Sequence, residues 1–272
     1  MVDATGAHLF QWLRSNPVVA TAFVATLFTA AATGAGALPV LVAQHISARV
    51  QDAMLGFGAG VMLAATAFSL IVPGIAAGEA LTGSHAWAAG IVAFGVTAGG
   101  VAMLALDRML PHEHFIKGVE GTQRQDLKRI WLFVLAIAIH NVPEGLAVGV
   151  GFGTENSAAG VALALGIGIQ NIPEGLVVAL ALITVGYSRG FAAAVALASG
   201  LVEPVGGLIG AGVLSISRLM LPWGLAFAAG AMLFVVSHEI IPESHRKGHE
   251  REATVGLLAG FVTMMLLDTT LA

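Results

Sequence analysis

The chain has 272 residues, of which 57% are hydrophobic and only 10% are charged, with a mean hydropathy of +0.88. Soluble domains carry about 25% charged residues, so this composition excludes an ordinary soluble protein and indicates an integral membrane protein with a single domain, 1–272. The mild net charge of −4 without a basic cluster argues against nucleic acid as a partner, and the absence of cysteine excludes disulfides and thiolate metal sites.

Eight apolar runs follow one another along the chain, each long enough for a spanning helix of about 20 residues. They cover 17–44, 52–78, 86–106, 130–151, 158–186, 190–213, 223–241 and 253–271. The first run is too long for the apolar core of a signal peptide, so we expect it to be retained as a span. The longest polar segment, 107–129, is predicted to be a loop. The pattern predicts an all-α protein whose eight transmembrane helices lie in a lipid bilayer.

The lysines and arginines outside the runs divide unequally between the two sides of the membrane. With eight spans, two of them, Arg14 and Arg218, fall on the side of the termini. Ten fall on the opposite side: Arg49, Arg108, Lys117, Arg124, Lys128, Arg129, Arg189, Arg246, Lys247 and Arg251. Because loops rich in Lys and Arg stay in the cytoplasm, both termini are predicted to be extracytoplasmic and the 107–129 loop cytoplasmic. The short loops suggest a bacterial inner cell membrane.

Two near-copies of one hexad lie in the fourth and fifth runs, HNVPEG at 140–145 and QNIPEG at 170–175. Residues three and four apart share a face of a helix, so each hexad places its first two polar side chains one turn from its glutamate. These side chains are His140, Asn141 and Glu144 in the first hexad, and Gln170, Asn171 and Glu174 in the second. An ionisable residue inside a membrane segment is costly and indicates a functional site.

A third acid, Glu203, lies in the sixth run at a similar depth, and no Lys or Arg lies inside an apolar run. Three buried carboxylates without a protein cation cannot all be ionised and unpaired. Carboxylate oxygens with an imidazole nitrogen suit Zn²⁺ or another first-row divalent ion, which a proton relay would not require. The alternative, proline kinks whose freed carbonyls are capped by polar side chains, accounts for the amides but not for the glutamates. Met62 is a candidate soft ligand, although Met is commonly a core residue.

More histidines and acids collect at the inner end of the seventh run. They are His238, Glu239, Glu243, His245, His249 and Glu250, with His112, Glu113 and His114 predicted on the same side of the membrane. One interpretation is a route that receives metal leaving the membrane, and the other is a set of solvated loop residues.

Two enzymatic interpretations fail on missing motifs. An intramembrane zinc protease needs two histidines four apart with a glutamate between them, and a di-metal oxidase needs Glu-x-x-His pairs. No apolar run contains either pattern. We therefore predict that the chain is not an enzyme, and a metal-gated channel or a non-transporting metal sensor is the alternative to a transporter.

Together these motifs resemble the ZIP (Zrt-, Irt-like protein) family of divalent-metal transporters, in its bacterial branch. The resemblance is carried by HNVPEG, QNIPEG, VEP at 202–204, SHEIIPESH at 237–245 and QDAMLGFGAGVMLAATAFSLIVPG at 51–74. It implies a 3+2+3 arrangement of the eight spans, with helices 1–3 and 6–8 as inverted repeats around helices 4 and 5. It also implies uptake of Zn²⁺, or of Cd²⁺, Fe²⁺ or Mn²⁺, into the cytoplasm by elevator-like alternating access, and it is compatible with a homodimer.

The resemblance further implies which residues hold metal. The first metal site would use Met62, His140, Glu144, Gln170 and Glu174, and the second Asn141, Glu144, Asn171, Glu174 and Glu203, so that the centre could be binuclear. Some bacterial members have Asp in place of Asn171, and loss of that charge should weaken the second site. The residues that match cytoplasmic release sites are His238, Glu239, His249 and Glu250.

Overall fold

The computed structural model describes residues 15–43, 46–109, 123–154 and 157–271, and these ranges contain helices and no strand. Eight helical segments within them are long and apolar enough to cross a membrane, which confirms the predicted fold class. Five are α1 (Pro17–Gly36, continued by Pro39–Val42), α3 (His85–Met109), α4 (Gln123–Gly151), α5 (Ser157–Thr184) and α8 (Glu250–Leu271). The other three, α2, α6 and α7, are interrupted.

The sixth span is two helices rather than one continuous run. It consists of α6a (Arg189–Gly200) and α6b (Glu203–Ile216). Pro204 occupies the start of α6b, where a missing N–H breaks no intrahelical hydrogen bond. Glu203 therefore begins a helix instead of lying inside one, and the positive end of the helix dipole favours its carboxylate.

The second and seventh spans each contain a π-helical turn. In α2, Ala48–Ala64 and Val72–Thr82 flank a π segment, Ala65–Ile71. In α7, Leu221–Val235 and Ile241–Ser244 flank Val236–Ile240, and a short 3₁₀ turn, Arg218–Met220, precedes them. A proline follows each π segment, at Pro73 and Pro242. Such bulges accommodate an extra residue in the helix and are frequent at functional sites.

Helices extend into the predicted 107–129 loop from both sides. Helix α3 continues to Met109, and α4 begins at Gln123, seven residues ahead of the apolar run. Residues 110–122, including His112, Glu113 and His114, lie outside the described ranges.

The helix pairings obey an internal pseudo-symmetry. Helix α1 packs on α5 and α6b on α4, while α2 packs on α8 and α7 on α3. Exchanging α1 with α6, α2 with α7, α3 with α8 and α4 with α5 converts the α1–α5 pair into the α6–α4 pair. The same exchange converts the α2–α8 pair into the α7–α3 pair. This agrees with the expected repeats of helices 1–3 and 6–8 around helices 4 and 5.

Glycine contacts show the same relation residue by residue. An added Cβ would meet the backbone carbonyl of Ile172 at Gly36, and that of Val142 at Gly206. The repeat is also visible in the sequence once the structure aligns the helices, because 57–63 (FGAGVML) in α2 and 227–233 (FAAGAML) in α7 are 170 positions apart. Gly36 and Gly206 are separated by the same interval.

The pairings divide the spans into two bundles. The most extensive contacts join α1, α4, α5 and α6, here called the hexad bundle, and α2, α3, α7 and α8, here called the flanking bundle. Inside each bundle, glycines bring helix backbones together, as Gly175 does at the carbonyl of Thr33 and Gly60 at that of Leu257. Small residues at such contacts are typical of packed membrane helices.

Contacts between the bundles are of a different kind. A Cβ at Gly224 of α7 would first meet the side chain of Val150, and one at Gly166 of α5 would first meet the side chain of Met264. At Gly58 of α2 the nearest atoms belong to Gln170 and lie 3.7 Å away, an ordinary van der Waals distance. At Gly224 and Gly166, the three nearest atoms of other residues all belong to side chains.

Candidate metal centre

The predicted ligands lie together in the interior of the molecule. The hexads occupy the middle of α4 and α5, Glu203 begins α6b, and Met62 lies in α2 just before its π segment. None is more than 5% exposed; the set is Met62, His140, Asn141, Glu144, Gln170, Asn171, Glu174 and Glu203. Lipid and water are therefore both excluded from these polar side chains.

Close backbone packing brings the hexads to their neighbours. Gly145, the last residue of the first hexad, has no room for a Cβ against the carbonyl of Glu203. Gly175, the last residue of the second hexad, is in the same situation at the carbonyl of Thr33. The two contacts hold Glu144 beside α6b and Glu174 beside α1.

The three glutamates form one group. Glu174 lies within electrostatic range of Glu144 and Glu203, and Glu203 within range of Glu144. The described ion pairs of Lys and Arg join other carboxylates: Arg49 with Glu252, Arg246 with Glu243, and Lys247 with Asp52. The interior therefore holds concentrated negative charge without a basic partner among the described residues.

Five buried polar atoms of this group have no hydrogen-bond partner among the described residues. They are His140 Nδ1, Asn141 Oδ1, Glu144 Oε2, Glu174 Oε1 and Glu203 Oε2. All five are able to donate an electron pair to a metal ion, provided that the imidazole carries its proton on the other nitrogen. Leaving a buried polar atom unpaired costs about 1–3 kcal/mol, so the arrangement is unfavourable without a cation.

His140 is oriented by a carboxylate on the flanking bundle. Its Nε2 lies 2.7 Å from Glu239 Oε1, on the π segment of α7. A carboxylate this close favours the tautomer that carries its proton on Nε2, which leaves the lone pair of Nδ1 available, as is common for metal-binding histidines.

Gln170 joins the two hexads. Its amide donates to Asn171 Oδ1 at 2.6 Å, and its side chain also bonds to Glu144. Gly58 and Met62 are four apart on α2, and Gln170 Oε1 lies 3.7 Å from a Cβ placed at Gly58. The face of α2 that carries Met62 is therefore directed at the second hexad.

The centre is not closed around an ion in this conformation. In the described part of the chain, no three His, Asp or Glu side chains are close enough together to hold a metal ion by themselves. An ion would have to draw the carboxylates inward and use neutral donors such as Met62 and Gln170.

The predicted release residues do not form one cluster. Glu239 contacts His140 at the centre, whereas His238 Nε2 lies 3.9 Å from Asp107 Oδ2 on α3. His249 contacts Asp52, with 2.9 Å between Nδ1 and Oδ2, and Glu250 is exposed at the start of α8. Only Glu239 reaches the predicted ligands.

Sequence reasoning missed several partners of these groups. Asp52 of α2, which contacts His249, is completely buried. Thr33 of α1 donates to Glu203 Oε1 at 3.4 Å, and Ser69 donates to Asp268 Oδ1 at 2.6 Å. The 170-residue repeat would have found Thr33, because Glu203 is its counterpart.

Comparison with known proteins gives the family. A model described as "ZIP Zinc transporter" matches residues 117–268, more than half of the chain. The zinc transporter ZIPB of Bordetella bronchiseptica is 55% identical over 89% of this chain and 78% of its own length. The chain belongs to the ZIP family. GufA of Myxococcus xanthus is 49% identical over 91% of this chain and 98% of its own length, and human ZIP11 is 34% identical over 95% and 99%.

Membership of the ZIP family, together with identities of 55% and 49% to two bacterial members, confirms the resemblance found from the hexads. It also confirms that the chain belongs to a family of membrane transporters and is not an enzyme. The ligand sets stay predictions, supported by the burial and the unpaired atoms described above.

Proposed function

We propose that this ZIP protein carries Zn²⁺ across the cytoplasmic membrane into the cell through the centre between the hexads. The five unpaired buried atoms carry the proposal, since one divalent ion bound among them would neutralise charge and satisfy donors at once. Oxygen and imidazole donors suit Zn²⁺, and a thioether at Met62 would admit Cd²⁺ more readily than Mg²⁺. The names of the relatives support zinc as the cargo.

The predicted topology orients the centre in the membrane. Arg49 is paired with Glu252, and Arg189 donates to the carbonyl of Leu41, so basic residues gather at the ends of α1, α2, α6a and α8 that meet there. By the positive-inside rule this is the cytoplasmic end, and both termini are outside. Glu239, which links His140 to α7, is the first group that a departing ion would meet on the inner side.

The mechanism that we propose is alternating access, in which the hexad bundle slides along the flanking bundle. Close backbone contacts make each bundle rigid, whereas side-chain contacts at Gly224, Gly166 and Gly58 separate the two bundles. Van der Waals contacts between side chains can be exchanged for similar ones after a shift, but interlocked backbones cannot. A homodimer stays a prediction.

Zinc flux into proteoliposomes tests the site. We expect the double variant Glu144→Ala and Glu174→Ala to reduce saturable Zn²⁺ uptake to the level of empty liposomes. Glu79→Gln, which removes a half-exposed carboxylate far from the hexads in sequence, is the matched control and should transport normally. Undiminished flux in the double variant would remove the hexads from the mechanism. Competition by Cd²⁺, Fe²⁺ and Mn²⁺ ranks the other cargoes.

A cross-link tests the motion, because the chain contains no native cysteine. Gly224→Cys with Val150→Cys joins the two bundles, where the β-carbons would lie 3.9 Å apart. Gly34→Cys with Leu197→Cys joins α1 to α6a inside the hexad bundle, with 3.3 Å between the β-carbons, and is the control. Both distances are near the range for a disulfide.

Oxidation should stop transport only in the first pair, and a reductant should restore it. Full flux through a cross-linked first pair would favour the metal-gated channel, which needs no sliding. Uptake that saturates with zinc and does not respond to membrane voltage would exclude that channel. A metal sensor without flux would fail both assays while still binding zinc.

A further inference from the structure

We infer that Trp131, Tyr187 and Phe191 form an aromatic anchor that binds the phospholipid headgroup region at one end of the hexad bundle. The leaflet is the one beside Arg189, which the predicted topology makes the cytoplasmic leaflet. The inference goes beyond the proposed function, because it concerns a surface that the metal centre does not use.

The aromatic anchor is assembled from three parts of the chain. Trp131 lies on α4, Tyr187 in the turn between α5 and α6a, and Phe191 at the start of α6a. The rings of Tyr187 and Phe191 stack with 4.9 Å between their centroids, and Trp131 meets Tyr187 edge to face at 5.9 Å. Both arrangements are favourable for aromatic pairs, so the three side chains hold one another in place.

The turn that carries Tyr187 is set by the residues on either side of it. Gly186 has a positive φ of 91°, which a residue with a Cβ rarely adopts, and it follows the end of α5. Ser188 then caps α6a, because its side chain accepts a hydrogen bond from the backbone N–H of Phe191. The glycine turn and the serine cap together bring Tyr187 and Phe191 side by side next to α4.

The aromatic anchor is exposed although most of its atoms are apolar. Trp131 is 38% exposed and Phe191 is 42% exposed. Trp131 Nε1 donates to the hydroxyl oxygen of Tyr187 at 2.8 Å, and no acceptor for the hydroxyl's own proton is found in the part of the chain that the structure describes. Rings with an apolar body and a polar tip are enriched at the headgroup level of membranes.

The surface of the hexad bundle changes from polar to apolar at this level. On α4, the polar segment 123–129 ends just before Trp131, whereas Leu135, one turn further on, is 43% exposed. On α6a, Arg189 is exposed just before Phe191, and the apolar run AAAVALA follows it. Two helices of the bundle therefore pass the same boundary beside the aromatic anchor, as expected where water gives way to hydrocarbon.

Hydrogen-bonding chemistry favours a phospholipid as the occupant. The Tyr187 hydroxyl has a proton to donate, and the guanidinium of Arg189 has five N–H groups, of which one at Nη1 reaches the carbonyl of Leu41 at 3.4 Å. Phosphate and ester oxygens of a lipid accept hydrogen bonds, and anionic phosphates attract basic residues near the cytoplasmic surface. The donors of the protein and the acceptors of the headgroup are therefore complementary.

The flanking bundle has an aromatic contact at the opposite end of the molecule. Phe94 of α3 and Trp223, the third residue of α7, meet edge to face with 5.9 Å between their centroids. An anchor on the hexad bundle therefore opposes movement of that bundle toward the outer side, because the indole N–H and the tyrosine hydroxyl would enter hydrocarbon. This consequence rests on the proposed sliding, whereas the anchoring itself does not.

Quenching of tryptophan fluorescence by brominated lipids tests the inference on the full chain. Replacing the other tryptophans leaves Trp131 as the only one (Trp12→Phe, Trp87→Phe and Trp223→Phe). The protein is reconstituted in vesicles of phosphatidylethanolamine and phosphatidylglycerol that contain phosphatidylcholine brominated either near the headgroup or near the end of the acyl chain. We expect stronger quenching by the lipid brominated near the headgroup.

A tryptophan one turn deeper is the matched control. Leu135→Trp with Trp131→Phe in the same background places an indole about 6 Å further along α4 on the same face. Its quenching should shift toward the lipid brominated near the end of the chain. The difference between wild-type protein and Trp131→Phe alone, measured with the same lipids, gives the comparison without the other replacements.

Each remaining outcome contradicts the anchor. Stronger quenching of Trp131 by bromine near the end of the acyl chain would place it in the hydrocarbon. Quenching by aqueous iodide without quenching by either lipid would show a solvated surface. Protection from iodide and from both lipids would show that a second copy or another protein covers the site. None of these results concerns the hexads, so the proposed function would stand.

Discussion

The two hexads have nearly the same sequence and equivalent backbone contacts, yet they are connected to different parts of the molecule. His140 in the first hexad reaches Glu239 on the flanking bundle, at 2.7 Å. Gln170 in the second bonds to Asn171 and Glu144, both inside the hexad bundle. One exchanged residue type therefore turns a pseudo-symmetric scaffold into a chemically asymmetric site. The first hexad is linked to the helix that leads to the predicted cytoplasmic side, and the second links residues of the hexad bundle to one another.

The largest expected effect comes from Glu144 and Glu174, one in each hexad, which we expect to contribute equally to zinc binding. Glu144→Gln and Glu174→Gln should each weaken zinc binding by about 100-fold or more, because loss of outer partners alone costs about 10–100-fold. Isothermal titration of purified protein measures both constants. If one variant binds zinc as the wild type does, the ion is not shared between the hexads.

The next effect separates the first positions of the hexads. His140→Gln removes a nitrogen ligand but keeps an amide, and we expect zinc affinity to fall by about 10–100-fold. Gln170→His supplies an imidazole but removes the donor to Asn171. Adding it to His140→Gln should therefore not restore zinc affinity. Wild-type affinity in the doubly exchanged protein would show that the two positions are interchangeable, contrary to the geometry.

A smaller effect concerns packing, where the hexads should again behave alike. Gly145→Ala and Gly175→Ala force a methyl group against a backbone carbonyl, and each should destabilise the fold by about 1–3 kcal/mol. Gly58→Ala, at the boundary between the bundles, adds its methyl group at 3.7 Å and should leave stability unchanged. Thermal unfolding in detergent compares the three, and equal losses would contradict the distinction between the bundles and their boundary.

The smallest effect is on pH dependence. Zinc binds only the unprotonated imidazole, so uptake should fall as the medium is acidified. His140→Gln removes the histidine contribution to this fall and should make the profile flatter. Flux normalised to its alkaline plateau measures the change. An unaltered profile would mean that His140 does not bind the ion.

The sequence by itself determined the class of fold, the number of spans and the family. Long apolar runs must become helices in a bilayer, because every backbone polar group there needs an internal partner. Carboxylates repeated within such runs also pointed to the cargo, since an intramembrane acid is too costly to be incidental. These inferences need only composition and helical periodicity, which are local properties.

Only the tertiary structure decided which partner each polar group has. The break before Glu203 and the π turns in α2 and α7 depend on how the chain packs around prolines. Amino-acid composition does not reveal that packing. The engagement of Asn171 with Thr29, Gln170 and Glu203 joins residues up to 142 positions apart. A hydrogen bond depends on distance and direction between side chains, so two similar hexads acquire different roles only when the helices around them are in place.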